Sequence, residues 1–452
     1  MQTPFETLCR KITDRMAELK VPGTAVGTWF HGQEQTAAFG ITSTTNPLPV
    51  TPETLFQIGS ITKTMLASVA LRLVEQGRLE LDRPVRASLP QLRLADEDTA
   101  ARLTMRHLLT HTGGWAGDYF NDFGRGEDAL EKMVASLVRL PQLTPLGSLW
   151  HYNNAGFAIA GRLLEVISGL PFETLCSEML FAPLGMSHSF FFPEDVLMQR
   201  FAVGHYPNAQ GLPEPVVPWA VGRANHPAGG VVSCIPDLLR YARFHLRDGL
   251  AESGERLLQS ASLTEMRRPQ AFPGVSADGM GLTWFIKTLN GVTFFRHGGG
   301  THGQNAQILF APEHDFAFAM LSNAETGDAL VMEMYQVALE LTLGAVEEKP
   351  VTYTRPADEL AEYAGRYDAQ AQTIEICPLD GELQIHICNK GGFPTPETPP
   401  GPNPAPFRAA FYAADRTIVT GGPEKGTRAE YLRDAQGKIE WLRTGGRVHR
   451  RL

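Results

Sequence analysis

Strand-like segments stand at both ends of a long helical stretch, and this arrangement limits the fold more than any motif does. Two strand patterns, Ala25–Phe30 and Gln35–Phe39, precede helical patterns that dominate from Ile61 to about Leu250. Strand patterns then return, and a helix over Ala329–Leu343 follows them; the later strands are predicted at Leu282–Lys287, Thr293–Arg296, Gln304–Phe310 and Phe316–Asn323. The order predicts an α+β domain: a mixed antiparallel sheet built from both chain ends, with a helical insert at about residues 60–275.

The last hundred residues change character and predict a second domain. Residues 347–358 carry charges and two prolines, as a linker does, so we divide the chain into 1–346, a linker at 347–358, and 359–452. Short strands follow with Asp-Gly and Gln-Gly turns between them; they are Thr373–Cys377, Glu382–Ile387, Thr417–Thr420, Glu430–Arg433 and Lys438–Arg443. This pattern predicts a small all-β barrel or sheet, interrupted by the Pro/Gly-rich segment Gly391–Pro406.

Charge and hydropathy argue against several classes of partner. The net charge of -9 and the absence of a clustered basic stripe argue against a nucleic-acid partner. No stretch reaches the apolar length of a membrane span. Residues 1–20 repeat apolar side chains at helical spacing between charges, which predicts an amphipathic helix and not a signal peptide. We therefore expect no membrane association and a cytoplasmic location.

One serine of the chain has a lysine three residues later, in the run from Ser60 to Lys63. Three residues are nearly one helical turn, so the hydroxyl and the amine would share a helix face. A helix beginning at the serine would also favour an oxyanion there, through its first N–H groups and its dipole. A buried lysine loses its proton easily and can activate the serine as a nucleophile. The pattern is weak alone and needs support from other segments.

Two further segments could complete a catalytic site with this pair. Tyr152 and Asn154 lie two residues apart, just before a predicted helix, and could point into one cleft. The phenol would pass protons, and the amide would hold the lysine or a substrate carbonyl. His297 begins a glycine run at a strand end, where Gly299 and Gly300 would let a substrate lie along the edge. The Gly300 N–H could pair with that of Ser60 as an oxyanion hole.

These three segments, in this order, resemble the motifs of the penicillin-recognising serine hydrolases, and most closely the class C β-lactamase-like group. That family carries Ser-x-x-Lys, Tyr-x-Asn, and a Lys-Thr-Gly that many members replace with His-x-Gly. The similarity covers roughly residues 5–345 and includes Arg106–Gly114 and Pro145–Gly147. The C-terminal part is similar to a lipocalin-like module found on some members.

The resemblance implies a role for each motif residue. Ser60 would be the acylated nucleophile, and Lys63 and Tyr152 would share general-base and general-acid duties, with neither assigned alone. His297 stands where β-lactamases place a lysine that helps bind the substrate carboxylate, which shifts the expected substrates towards short esters, amides or peptides. The reaction would need no cofactor and no metal.

Two other reactions remain open for the same site. An amine could replace water, which would give peptide cyclisation or transpeptidation. Alternatively, the protein could be a penicillin-binding-type sensor that is acylated, or merely occupied, without turnover. The expected partner is a small molecule or a peptide; the sequence also leaves a homo-oligomer open, and the C-terminal domain could close the cleft.

Remaining candidates receive structural interpretations. His107 and His111 have the spacing of two zinc ligands, but Leu108 lies where a zincin needs its glutamate. The five cysteines are widely spaced and are read as free thiols. An aromatic group after Gly113-Gly114 could grip an apolar substrate or form a small core; it comprises Trp115, Tyr119, Phe120 and Phe123.

Overall fold

A computed structural model of the chain describes residues 2–219, 221–391, 399–422 and 424–452. Part of the predicted irregular segment Gly391–Pro406 therefore lies outside the described residues. The described strands are β1 (Gly23–Phe30), β2 (Gln33–Gly40), β3 (Phe56–Gln57), β4 (His205–Pro207), β5 (Pro213–Pro215), β6 (Val232–Ser233), β7 (Gly279–Met280), β8 (Phe285–Leu289), β9 (Val292–Gly300), β10 (Asn305–Ala311), β11 (Phe316–Ser322), β12 (Gly365–Asp368), β13 (Gln372–Leu379), β14 (Glu382–Asn389), β15 (Phe407–Ala413), β16 (Arg416–Val419), β17 (Arg428–Arg433), β18 (Ile439–Thr444) and β19 (Arg447–Arg451).

The helices lie mostly between the two groups of main-sheet strands. They are α1 (Pro4–Leu19), α2 (Ile61–Glu75), α3 (Glu97–Arg102), α4 (Met105–Leu109), α5 (Ala129–Ser136), α6 (Ala155–Ser168), α7 (Phe172–Cys176), α8 (Ala182–Leu184), α9 (Pro193–Val196), α10 (His226–Gly229), α11 (Ile235–Leu246), α12 (Ser260–Arg267), α13 (Gly327–Leu343) and α14 (Ala357–Ala361). A π-helical turn, Ser177–Phe181, joins α7 to α8.

The predicted α+β fold is confirmed. The main sheet is antiparallel in the order β2-β1-β11-β10-β9-β8-β7, and β1 pairs with β11 across the chain, with Thr24 opposite Ser322. The strands of the two chain ends therefore share one sheet. β11 is buried along its whole length because helices cover both of its faces. β8 begins at Phe285, later than predicted. Thr283 has a left-handed backbone with φ +70°, so it cannot be part of an extended strand.

The N-terminal helix covers one face of this sheet. The side chain of Thr3 accepts from the Glu6 N–H, and the Glu6 carboxylate accepts from the Thr3 N–H, so a capping box begins α1. The helix buries Leu8, Ile12 and Met16 in a core that also contains α13. Sequence periodicity predicted this amphipathic helix, and its apolar stripe is the surface that it buries.

The C-terminal domain is a closed barrel of eight antiparallel strands, β12 to β19. The segment between α13 and β12 contacts both domains. Its Glu347 pairs with Lys287 Nζ of β8 at 2.7 Å, and its Tyr353 forms an isolated antiparallel β-bridge with Phe411 of the barrel. The domain boundaries at 346 and 359 stay a proposal.

Among the described residues, no single helix combines the length and apolarity needed to cross a membrane. Two consecutive helical segments, Ala155–Ser168 and Phe172–Leu184, pass that test together by length and composition only, and the chain bends by 78° between them.

Candidate active site

The nucleophile candidate lies at the start of a helix that is buried on nearly every side. Gly59 has φ +51°, which turns the chain into α2, and Ser60 is the residue before its first turn. Lys63 follows in that first turn with 0% exposure. Its Nζ donates to Ser60 Oγ at 2.9 Å and to the Ala228 carbonyl at 2.5 Å. The predicted contact between hydroxyl and amine is therefore present.

The environment of Lys63 favours the neutral amine. Burial is the main cause, and the nearby Arg447 guanidinium adds to it; together they lower the pKa of Lys63 well below its usual value. The Asp118 carboxylate acts in the opposite direction. A neutral amine in contact with a hydroxyl can accept its proton, which an ammonium group cannot do.

Tyr152 completes the group of three. Its side chain is 8% exposed, its phenol interacts with the Ser60 side chain, and Lys63 Nζ lies 5.1 Å from the ring centroid. Burial raises the pKa of Tyr152 to about 12, although the Ser60 contact and Arg447 oppose the rise. The phenol is therefore protonated near neutral pH, while the amine beside it gives up its proton more easily than a free lysine does. The structure brings the hydroxyl, amine and phenol together from separate segments.

Asn154 occupies a different environment from the one expected. Its Nδ2 donates to Asp118 Oδ1 at 2.9 Å, so the amide is held by a carboxylate and not by the lysine. A carboxylate is the stronger acceptor for this amide. Asn154 still lines the cleft that contains Ser60, and a contact with a substrate carbonyl stays a proposal.

His297 is a wall of the cleft and carries no charge. β9 extends beyond its predicted end to Gly300, so the histidine is part of the strand and is 1% exposed. Its ring centroid lies 6.4 Å from that of Tyr152 and 5.5 Å from that of Phe285. Burial, reinforced by Lys63, lowers the pKa of His297 to about 3. The position thus lacks the cation that a lysine would offer to a carboxylate.

The glycines after His297 let β9 touch the nucleophile turn. A methyl group on Gly299 would lie 1.8 Å from the Ile58 carbonyl oxygen and 3.0 Å from the Ser60 nitrogen. A methyl group on Gly59 would lie 2.7 Å from the Gly300 nitrogen. Backbone therefore packs directly against backbone, as the prediction of an oxyanion hole from Ser60 and Gly300 requires.

Sequence reasoning missed a contribution from the C-terminal barrel. The guanidinium of Arg447, at the start of β19, binds Asp118 through two contacts of 2.9 and 3.1 Å. It also lies 4.8 Å from the Tyr152 ring centroid, and the Gly446 carbonyl accepts the Tyr152 N–H at 2.9 Å. Although burial acts the other way, Arg447 holds the pKa of Asp118 below its usual value. The β18–β19 turn thus forms part of the site.

His111, interpreted as structural from the sequence, packs against the phenol. Its ring stacks on Tyr152 with centroids 4.3 Å apart and an angle of 23°. Its Nδ1 accepts the Asn153 N–H at 3.0 Å. Burial lowers the pKa of His111 well below its usual value, so the ring is neutral. His107 instead contacts Thr104 at the start of α4, so both histidines have structural contacts.

One cavity of about 2020 Å³ contains the site and is lined by both domains. Ser60, Tyr152 and Asn154 line it from the sheet domain, and Arg447 lines it from the barrel. The aromatic group after Gly113-Gly114 divides between the two interpretations. Trp115 is buried in the core, while Tyr119 and Phe120 line the cavity.

The fold and this site define the class of the protein: a β-lactamase-fold serine hydrolase with a C-terminal β-barrel. The Beta-lactamase family model matches residues 8–342, and the chain belongs to that family. It is 32% identical over 362 residues to Penicillin-binding protein 4 of Amycolatopsis lactamdurans, covering 78% of this chain and 94% of that one. This confirms the resemblance inferred from the motifs.

Solved structures extend the similarity to the barrel. SurE superposes with a TM-score of 0.78 at 25% identity, over 99% of both chains. The octameric penicillin-binding protein homologue from Pyrococcus abyssi has a TM-score of 0.63 at 25% identity, over 98% of both chains. Both comparisons span the two domains of this chain.

Proposed function

We propose that this protein hydrolyses short esters, amides or peptides through an acyl-enzyme on Ser60. The observation that carries the proposal is the contact of the Ser60 hydroxyl with a lysine amine of lowered pKa, beside a protonated tyrosine phenol. A serine is a weak nucleophile unless an adjacent base accepts its proton. The site supplies that base inside a cleft large enough for a substrate.

The proposed reaction has two steps. Ser60 Oγ attacks the scissile carbonyl carbon while its proton moves to the Lys63 amine, and the Ser60 and Gly300 N–H groups stabilise the oxyanion. The leaving alcohol or amine takes a proton from the Tyr152 phenol, which Lys63 then restores. Water next attacks the acyl-enzyme, using Lys63 and Tyr152 as a pair, and releases the acid together with free Ser60.

The walls of the cleft favour substrates without a free carboxylate at the reacting end. His297 is neutral, and the Arg447 guanidinium, which lies over the Tyr152 ring, is already paired with Asp118. A carboxylate entering there would have to compete with that partly buried pair. Esters, amides and internal or N-terminal peptide bonds have no such requirement.

Two properties of the whole protein are proposals of the same kind. The octameric state of the Pyrococcus abyssi homologue supports a homo-oligomer for this chain. We also retain the cytoplasm as its compartment.

Hydrolysis of a panel of short chromogenic esters and peptide anilides tests the function. Wild type should turn over at least one ester, and Ser60→Ala and Lys63→Met should each lose on the order of 10³-fold or more in kcat/KM. Lys132→Met, a surface lysine paired with Asp128, is the matched control and should retain full activity.

Three results would contradict hydrolysis. Retained turnover in Ser60→Ala would remove the nucleophile from the proposal. A persistent acyl adduct without product release would indicate a sensor. Product formed faster with an added amine than with water would indicate acyl transfer.

A further inference from the structure

The interior of the C-terminal barrel is continuous with the catalytic cleft. The same cavity that contains Ser60 is lined by inward-facing residues of the barrel strands, among them Ile374, Ile387 and Val419. The strand register places these side chains on one face: Ile374 is opposite Ile387, and Ile385 is opposite Phe407. Because successive side chains alternate between faces, this shared face is the lumen.

The lumen is closed at one end and open at the other. The far half is filled by an aromatic floor, in which the ring centroids of Tyr363 and Phe411 are 4.7 Å apart and those of Tyr363 and Tyr431 are 4.8 Å apart. Leu360 of α14 is buried in the same cluster. The opposite end carries the β18–β19 turn, whose Arg447 lies over Tyr152. The open half of the lumen therefore faces the catalytic residues.

The open half presents mainly hydrocarbon. Its walls are isoleucine, valine, alanine, leucine and phenylalanine side chains, to which Thr417, Tyr431 and His449 add polar groups. Arg447 is paired with Asp118, and His449 Nε2 lies 3.1 Å from Gln372 Nε2, whereas His449 Nδ1 has no hydrogen-bond partner among the described residues. A charged group inside this half would lose water and meet mainly hydrocarbon.

The depth of the open half suits an alkyl chain. Along β14 the residues that line the cavity run from Asn389 at the rim to Ile385, while Leu383 beyond them is fully buried and does not line it. Four residues of tilted strand span about 10 Å along the barrel axis. The whole cavity, at about 2020 Å³, also exceeds the roughly 300–1,000 Å³ of an ordinary small-ligand site. A short ester at Ser60 would leave the lumen unused.

We propose that the open half of the barrel lumen binds the aliphatic chain of a substrate whose carbonyl lies at Ser60. The proposal rests on the proposed function and names its substrate class: esters or amides of medium-chain to long-chain aliphatic acids, or peptides with such a chain. The barrel then selects the substrate, and the sheet domain supplies the chemistry.

Chain-length selectivity tests the proposal through turnover. For butanoate, octanoate and dodecanoate nitrophenyl esters below their micelle concentrations, kcat/KM should rise about threefold to fourfold for each methylene that enters the lumen. Ile387→Trp, which fills the lumen, should abolish this rise. Cys388→Trp is the matched control. The Cys388 side chain follows Ile387 in the chain and is exposed on the outer face of β14, so the rise should persist.

A binding measurement separates this proposal from the catalytic one. Ser60→Ala should still bind a fluorescent undecanamide probe, which has no free carboxylate and which dodecanamide should displace, and Ser60→Ala/Ile387→Trp should bind it on the order of 10-fold more weakly or not at all. If no ester is hydrolysed while this binding pattern holds, the proposed function fails and the lumen site stands. A flat chain-length profile, or equal effects of Ile387→Trp and Cys388→Trp, would overturn the lumen site.

Discussion

Removing the charge of Arg447 should move the pH dependence of the reaction, because this barrel residue lowers the pKa of Lys63. The guanidinium carbon lies 4.8 Å from the Tyr152 ring centroid, and Lys63 Nζ lies 5.1 Å from the same point. By these two lengths the charges are at most about 10 Å apart, so they repel by at least about 1.7 kcal/mol at an effective dielectric constant near 20. That energy corresponds to about one pH unit.

The direction of each change in the pKa of Lys63 follows from whether the neighbouring charge favours the ammonium form or the neutral amine. Arg447 disfavours the ammonium form, so Arg447→Met raises the pKa of Lys63, and the acidic limb of kcat/KM should move up by about one pH unit. Asp118 favours the ammonium form, so Asp118→Asn should move the same limb down. At a pH below the limb, Arg447→Met should therefore be about tenfold slower than wild type.

The assay is kcat/KM against pH for one soluble ester, with both single variants and the double variant Arg447→Met/Asp118→Asn. Arg450→Met is the control, since that exposed side chain lies on the same strand beside Trp441. The double variant should shift less than Arg447→Met alone, because no buried carboxylate is left unpaired. An unmoved limb in Arg447→Met, or shifts of the same sign in both single variants, would refute the reasoning.

Two further predictions concern the nucleophile turn and a buried carboxylate. Gly299→Ala should lose on the order of 10²-fold in kcat/KM, since its methyl group meets the Ile58 carbonyl, whereas in Gly298→Ala it meets a side-chain oxygen at 3.1 Å and activity should largely remain. Equal losses in the two variants would contradict this. Glu173, bound by His226 at 2.7 Å, has its pKa lowered to about 2. Its stabilisation is present above pH 4.5 and is lost as the pH falls towards 2, so denaturant unfolding should show wild type losing about 3 kcal/mol more than Glu173→Gln over that range. Equal losses would contradict it.

Sequence patterns predicted the elements whose environment follows from local periodicity. The apolar run of β11 indicates a strand covered on both faces, and the structure buries it completely. The three-residue spacing of Ser60 and Lys63 placed both groups on one helical face, and they are in contact. The motif order then brought Tyr152 to the same place by resemblance to a known family.

The contributions of the barrel to the site could not be read in this way. Arg447 lies 329 residues from Asp118 in the chain, and no local pattern pairs them. β19 was not predicted because its run of basic residues lacks the apolar alternation of a strand; three of its side chains bind across the barrel and the cleft. β15 was not predicted either, since it begins one residue after a Pro-rich segment.

The most direct test of the account is to locate the acyl group during turnover. Intact-mass spectrometry of wild type, quenched within the first turnovers of a slow ester, should show one added acyl group, and peptide mapping should place it on Ser60. Ser60→Ala should show none, and the adduct should decay at the steady-state rate. An acyl group on another residue, or full turnover by Ser60→Ala, would contradict the account.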